Sequence, residues 1–423
     1  MKKGLEYIRF IMICLTIILI IISSIRITYY DMSLYDYSLS LIINGSIHLI
    51  IYILSKIKNF KFKKEELFIF ILMILSCLSL INCYDLKTCL MGRIDRYEGL
   101  FVILTYYLLL LNSLNVKGKK EKYIIVSLII LYGLLNTFYG MFQVNLLKTK
   151  LDIKNIFYYA RGFVGNSMFF SSLISLCYPL ILGFCLKEEK IKKLLFFYIL
   201  LIILTIGVII SGSMSLYVGV ILIYLVIIFD TIIHFKKDKF KNTFLLINTF
   251  LIIIITVILF LFLSYRITPL REDILEFKKE TTSIKEGEIS DNFGTGRIYI
   301  WKNTLEKIKE NYLFGVGIDN FALAFDNSLI DGISGFMVDK AHNEYLQIML
   351  CEGVIKGILY IVFLLIIFFK NLVKKKDKLT FALFLSFTCY CIQAFFNISI
   401  TRVFPLFFII LGLLISSFNT NNN

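Results

Sequence analysis

Charge is scarce in this chain. Asp, Glu, Lys and Arg make up 18% of the 423 residues, while 58% are aliphatic, aromatic or Cys. A soluble fold is nearer half apolar and about a quarter charged, so a soluble globular class is excluded. Only three prolines interrupt it, and only three histidines occur, far apart and without metal-ligand spacing. The nine cysteines contain no C-x-x-C. Cys14, Cys77, Cys177, Cys185, Cys389 and Cys391 lie in apolar runs, where Cys behaves as a small hydrophobe. Cys83 and Cys89 could pair. GTG and GVG lack the G-x4-G-K spacing and the preceding strand of a phosphate loop, and are read as turns. There is no internal repeat, and the only low-complexity stretch is the NTNNN tail.

What is present is long apolar runs. Crossing about 30 Å of hydrocarbon takes roughly 20 helical residues, and twelve runs qualify: 8–25, 38–55, 67–83, 99–114, 123–143, 167–186, 194–210, 215–234, 243–264, 353–370, 379–397 and 403–418. The stretch 194–234 is split at Ser211, Gly212, Ser213 and Ser215, because its 41 residues would make about two crossings. The expected fold is therefore all-α: one polytopic membrane domain, 1–423, of about twelve transmembrane helices. A large helical external loop subdomain, 265–352, sits between the ninth and tenth spans.

Lys and Arg are held back on the cytoplasmic side during insertion. Lys2, Lys3 and Arg9, then the clusters at 56–64, 117–122, 187–193, 236–241 and 370–378, fall on alternate connections. Together they hold 25 Lys and Arg; with the nine acids in or flanking them (Glu65, Glu66 and Asp230 flank) their sum is +16, against +15 for the whole chain. The basic surplus thus serves topology, and nucleic acid is not an expected partner. Both termini are expected in the cytoplasm. The first run lacks an A-x-A-like cleavage site and reads as an uncleaved span of a plasma-membrane protein.

With that topology, the segment 265–341 is a long external connection of some 77 residues, and long ordered loops on a rigid scaffold carry function. Within it, FGTGRIYIWKNTLEKIKENYLFGVGIDNF (293–321) reads as an amphipathic helix between glycine turns. Ile298, Trp301, Leu305 and Ile308 would share one face, with Lys302, Glu306 and Lys309 on the other. Thr295 or Asn292 could cap its start and GVG (315–317) would end it. Arg297 then sits in the first turn, where the dipole disfavours a cation. It is either an anion-binding cation beside exposed N–H groups or a plain surface arginine.

A second polar passage, DKAHNEYLQIML (339–350), stands out in so apolar a chain. Asp339 can cap a helix running into the tenth span, which puts His342 in its first turn with Tyr345, Leu346 and Met349 on its face. A helix N-terminus penalises imidazolium, so His342 should be neutral near pH 7 and able to accept a proton. It is either a general base or a donor of a structural hydrogen bond. His48 and His234 read as structural.

The order GR-x3-W (296–301), GVG (315–317), AHNEYLQ (341–347) and EG-x3-G (352–357) resembles the O-antigen ligase and polymerase-like superfamily. So does ARGFVGNSMFF (160–170), with Gly162 and Asn166 in the family's G-x-x-x-N positions. The resemblance implies a membrane glycosyltransferase using a polyprenyl-diphosphate-linked oligosaccharide. It also implies a diphosphate-binding Arg297, a His342 that activates the acceptor hydroxyl, and supporting roles for Trp301, Asn343 and Glu344. Glu344 could orient His342, contact sugar or simply face solvent. One departure is Ser213-Met214-Ser215, where many members carry Ser-Arg-Gly with a second diphosphate arginine. Arg161, Arg93 and Arg96 are the candidates to replace it.

The chemistry asks for these residue types. A sugar diphosphate leaves with developing negative charge that preorganised cations stabilise, and the incoming hydroxyl needs a base. With one base and no evident carboxylate nucleophile, single displacement with inversion is the simplest route. No cofactor or metal is required. The acceptor can be a glycan, a lipid or a protein hydroxyl, so polymerase, ligase and protein O-oligosaccharyltransferase all stay open. A polysaccharide transporter or flippase is the alternative of another class, but the spans offer only Asn136, Gln143 and Gln393 as midplane polarity.

Overall fold

Lipid offers a backbone no hydrogen-bond partner, so an apolar run crosses it as a helix. The structure is a computed structural model that describes residues 2–57, 61–146, 159–235, 239–266, 296–325 and 338–420. A helix stands at every one of the twelve predicted runs, and no strand occurs among the described residues. Nine of these helices are long and apolar enough to cross a membrane. The fourth, eleventh and twelfth runs form shorter apolar helices, Leu100–Ser113, Lys378–Ala394 and Phe404–Thr420. The split in 194–234 falls where predicted. Ile191–Ile210 ends, Gly212 turns the chain at φ 62, and Met214–His234 begins. Only a residue without Cβ adopts that conformation at little cost.

Contacts group the chain into two compact units. The first comprises Met1–Ile125, Asp291–Ile367 and Ala394–Asn423. At its centre Leu100–Ser113 packs against Leu34–Lys56 and Phe404–Thr420. Polar groups buried there find partners: Arg9 Nε donates to Asn112 Oδ1 at 3.1 Å, and His48 Nε2 lies 3.0 Å from Thr16 Oγ1. The second unit comprises Val126–Ser290 and Phe368–Gln393. In it Ser167–Leu186 is almost wholly enclosed, packed on Ile191–Ile210 and Met214–His234. His234 is held between the carbonyls of Asp230 and Val373, at 2.8 and 3.1 Å. All nine cysteines are free thiols, including Cys83 and Cys89.

The described part of the long connection before the tenth span belongs to the first unit. It folds as Arg297–Glu310, the short Phe321–Ala324 and Glu344–Glu352. These share a small apolar core of Ile300, Ile308, Val316, Phe321, Ala341 and Leu350. The chain breaks again at Gly353, φ 91, before Val354–Val373. A Cβ there would collide with the carbonyl of Leu313.

Candidate active site

The Arg297 helix differs from its predicted form in two respects. Gly296 occupies the N-cap position at φ 79, while Thr295 and Asn292 lie outside the described residues. The buried face is Ile300, Thr304 and Ile308, with Trp301 packed beside it, whereas Leu305 is 48% exposed. Spacing alone could not tell the two registers apart, because Thr304 satisfies itself by donating to the Ile300 carbonyl at 2.6 Å and so tolerates burial. Lys302, Glu306 and Lys309 are exposed as predicted. The helix stops at Glu310, ahead of GVG. GVG is instead a docking strap. Val316 and Gly317 N–H donate to the Leu350 and Cys351 carbonyls at 2.9 and 3.0 Å, tying it to the end of Glu344–Glu352.

His342 is not in the first turn of a helix. Asn343 is the N-cap, accepting from the Tyr345 and Leu346 N–H at 3.0 and 3.1 Å, and His342 precedes it in the left-handed region at φ 48. Asp339 cannot cap because Arg96 holds its carboxylate, Nε to Oδ2 at 2.7 Å. A positive φ on a non-glycine residue costs of order 1–3 kcal/mol and persists only when its surroundings enforce it. The enforcement here is Ala341, fully buried and gripped on both sides. Its N–H donates to Gln347 Oε1 at 2.8 Å, and its carbonyl accepts from Trp301 Nε1 at 3.0 Å. The Trp301 ring packs against Phe395 and Phe396. The tryptophan of GR-x3-W thus latches the Arg297 helix to the His342 loop.

His342 is neutral at pH 7, though for another reason than the helix dipole. Burial, then the charge of Arg297, and to a smaller degree Arg96, push its pKa down to about 4 against the opposing pull of Asp339. Its Nδ1 is buried and makes no hydrogen bond among the described residues. Arg297, Arg96 and His342 form one electrostatic cluster. Arg93 joins at its edge, 4.0 Å from Asp339, with its backbone N–H 2.7 Å from Asp319 Oδ2.

Behind this cluster lies a charged interior that no sequence motif announced. Lys340 Nζ sits 2.8 Å from Glu98 Oε2 and 3.4 Å from Asp319 Oδ1, all three side chains under 5% exposed. The two carboxylates raise the Lys340 pKa against the effect of burial, while burial raises that of Asp319. Glu98 also accepts from Ser399 at 2.7 Å and Tyr106 at 3.1 Å. Glu344 does not face solvent: it is 2% exposed and accepts from the Tyr360 hydroxyl at 3.3 Å. Lys356, at the start of the tenth span, pairs with Glu352 and donates to Ser76 at 2.7 Å. Glu98, Asp319, Lys340, Glu344, Glu352, Lys356, Tyr360 and Ser399 line a cavity of about 40 Å³, room for about three waters at roughly 10–15 Å³ each. The sequence signal existed in Glu352 and Lys356, an i,i+4 pair of charges at the mouth of an apolar run. Asp339 pairs with Arg96 at the rim, whereas Lys340, the next residue, reaches Glu98 and Asp319 inside.

In the second unit, the turn at 161–163 is held by two residues predicted only as scattered midplane polarity. Gln143 Oε1 accepts from the Arg161 and Gly162 N–H at 2.9 and 2.8 Å, and Asn136 Oδ1 from Phe163 N–H at 2.8 Å. Gly162 is at φ 57, Asn166 caps Ser167–Leu186, and the Arg161 side chain is exposed. Ser213 is the N-cap residue of Met214–His234, with its hydroxyl 2.9 Å from that of Ser215.

Residues 199–361 match the family model described as O-antigen ligase, a stretch that includes Arg297, Trp301, His342 and the break at Gly353. No curated protein matches the chain.

Proposed function

We propose, from the match of residues 199–361 to the O-antigen ligase family model, that the chain transfers or polymerises oligosaccharide from a polyprenyl-diphosphate donor onto an acceptor hydroxyl. The observation that carries the reading is the latch: Trp301 Nε1 on the Ala341 carbonyl holds the helix of Arg297 against the loop of His342. One cation and one neutral base, brought together from positions 45 residues apart, meet the two demands of glycosyl transfer from a diphosphate.

In the proposed reaction Arg297, with Arg96 and Arg93, holds the diphosphate at the outer membrane–water boundary. Arg161 stays a candidate from the sequence pattern alone for the role of the family arginine that Met214 replaces. His342 accepts the hydroxyl proton as the oxygen attacks the anomeric carbon, and the carbon–phosphate oxygen bond breaks with inversion. An imidazole held at about 4 is a weak base. A bound diphosphate counters the charge of Arg297 that holds it down, and so raises its basicity where the proton is taken. Trp301 and Asn343 position rather than react, and Glu344 faces the interior. The termini lie in the cytoplasm on this reading.

The test is glycan transfer in detergent from a purified polyprenyl-diphosphate oligosaccharide, scoring both elongation and transfer to added acceptors. His342→Ala should lose about 10²–10⁴-fold in kcat and Arg297→Ala about 10²–10³-fold. Product length separates polymerase from ligase. Full turnover by His342→Ala would remove the base assignment. A wild type inert with every such donor would leave the transporter reading, for which detergent activity has no meaning.

A further inference from the structure

The Asp339 carboxylate stands among the arginines of the GRIDRYEG loop. Its Oδ2 is 2.7 Å from Arg96 Nε and 4.0 Å from Arg93 NH1, while Arg93 NH2 is 3.9 Å from Asp95. At 18%, 23% and 27% exposure, Asp339, Arg96 and Arg93 lie at the solvent edge, unlike the enclosed Lys340–Glu98 pair beside them. Two guanidinium groups converging on one carboxylate oxygen form a cradle that an anion with more oxygens and more charge fills better. Burial would raise the Asp339 carboxyl, but the Arg96 hydrogen bond and the charges of Arg96, Lys340 and Arg93 hold it below the ordinary carboxylate range. It is therefore an anion whenever the enzyme works. It is also three residues from His342 and favours the protonated imidazole that Arg297 and Arg96 oppose.

We propose that Asp339 is a positioning residue that holds Arg96 and Arg93 as an internal stand-in for the diphosphate, and cedes them when the diphosphate enters. The inference rests on the diphosphate reading given above. While it holds them, its carboxylate also competes with the incoming anion for both guanidinium groups. Displacement then has a second effect. Once Arg96 turns to phosphate, the Asp339 charge is less neutralised, and it supports the proton on His342 at the step that needs it. A purely structural tie and an internal competitor differ in sign, since cutting a tie loosens anion binding and removing a competitor tightens it.

The experiment is calorimetric titration of the full-length protein in detergent with inorganic pyrophosphate. Asp339→Asn and Asp339→Ser should each tighten binding about five- to tenfold, the scale of a charged hydrogen bond discounted for partial exposure. Asp339→Glu, which keeps the charge, should bind within about twofold of wild type. In an Arg96→Gln background the gain from Asp339→Asn should shrink below about twofold, because the competition runs through that side chain. Wild type that binds, with both Asp339→Asn and Asp339→Ser equal or weaker, overturns the stand-in role alone. Wild type whose binding is absent, or indifferent to Arg297→Ala and Arg96→Gln, overturns the diphosphate reading and this inference with it.

Discussion

Replacing Lys340 with methionine removes the one cation between two enclosed carboxylates. Glu98 and Asp319 are 3% and 1% exposed, and Lys340 lies 2.8 and 3.4 Å from them. Stripping the partner from a buried ion pair costs about 3–5 kcal/mol, because the charge left behind has neither water nor counterion. The lower end applies here, since Glu98 keeps its bonds from Ser399 and Tyr106 and Asp319 keeps the Arg93 N–H. The sign with pH follows from the shifts. Lys340 is raised in the fold, so its contribution is complete below about 10.4 and fades only as pH climbs through its folded value. Asp319 is also raised, so its protonated form favours the fold and acidification relieves the variant. The assay is unfolding in mixed micelles followed by the fluorescence of Trp301, the chain's single tryptophan. Lys340→Met should lose about 3 kcal/mol at pH 8, recover part of it at pH 5, and recover more when combined with Asp319→Asn. A loss within about 0.5 kcal/mol of zero at pH 8, the range of an ordinary surface change, would refute the buried-pair argument.

Three further outcomes can be checked. For wild type, kcat/KM should fall as pH drops through about 4, where His342 takes its proton. Arg297→Gln removes a cation that depresses it, so the limb of its residual activity should move to higher pH, toward the ordinary value near 6.5. Trp301→Phe keeps most ring contacts but leaves the Ala341 carbonyl unpaired. That costs about 1–3 kcal/mol and should appear as a kcat loss of about ten- to a hundredfold with donor binding little changed. Gly353→Ala sets a Cβ on the Leu313 carbonyl at φ 91 and should destabilise the protein by more than about 2 kcal/mol in the same fluorescence assay.

The spans were readable because lipid leaves one backbone solution, and even the split at Gly212 announced itself by composition. Arg297 at a helix start and the polar character of the His342 loop were equally plain. The way His342 is held was not. Both Asp339 and Asn343 are good caps, and the choice fell to Asn343 because Arg96, some 240 positions away in sequence, claims Asp339. Of the three readings open for Glu344, facing solvent fails: in the first turn of Glu344–Glu352 it is buried and accepts from the Tyr360 hydroxyl. The register of Arg297–Glu310 was misjudged because a threonine that bonds its own helix counts as apolar in packing but not in pattern.

The bend at Gly353 is crossed by the Glu352–Lys356 pair, which also engages Ser76. These side chains are under 7% exposed, so dissolved ions cannot reach them, whereas the Arg96–Asp339 contact lies open to the Debye atmosphere. Ionic strength therefore divides the protein into two electrical compartments. On the proposed diphosphate reading, raising salt should loosen donor capture at the rim while the pitch of the bend stays fixed. A turnover number that holds steady as the apparent donor affinity slides would be the signature of that partition.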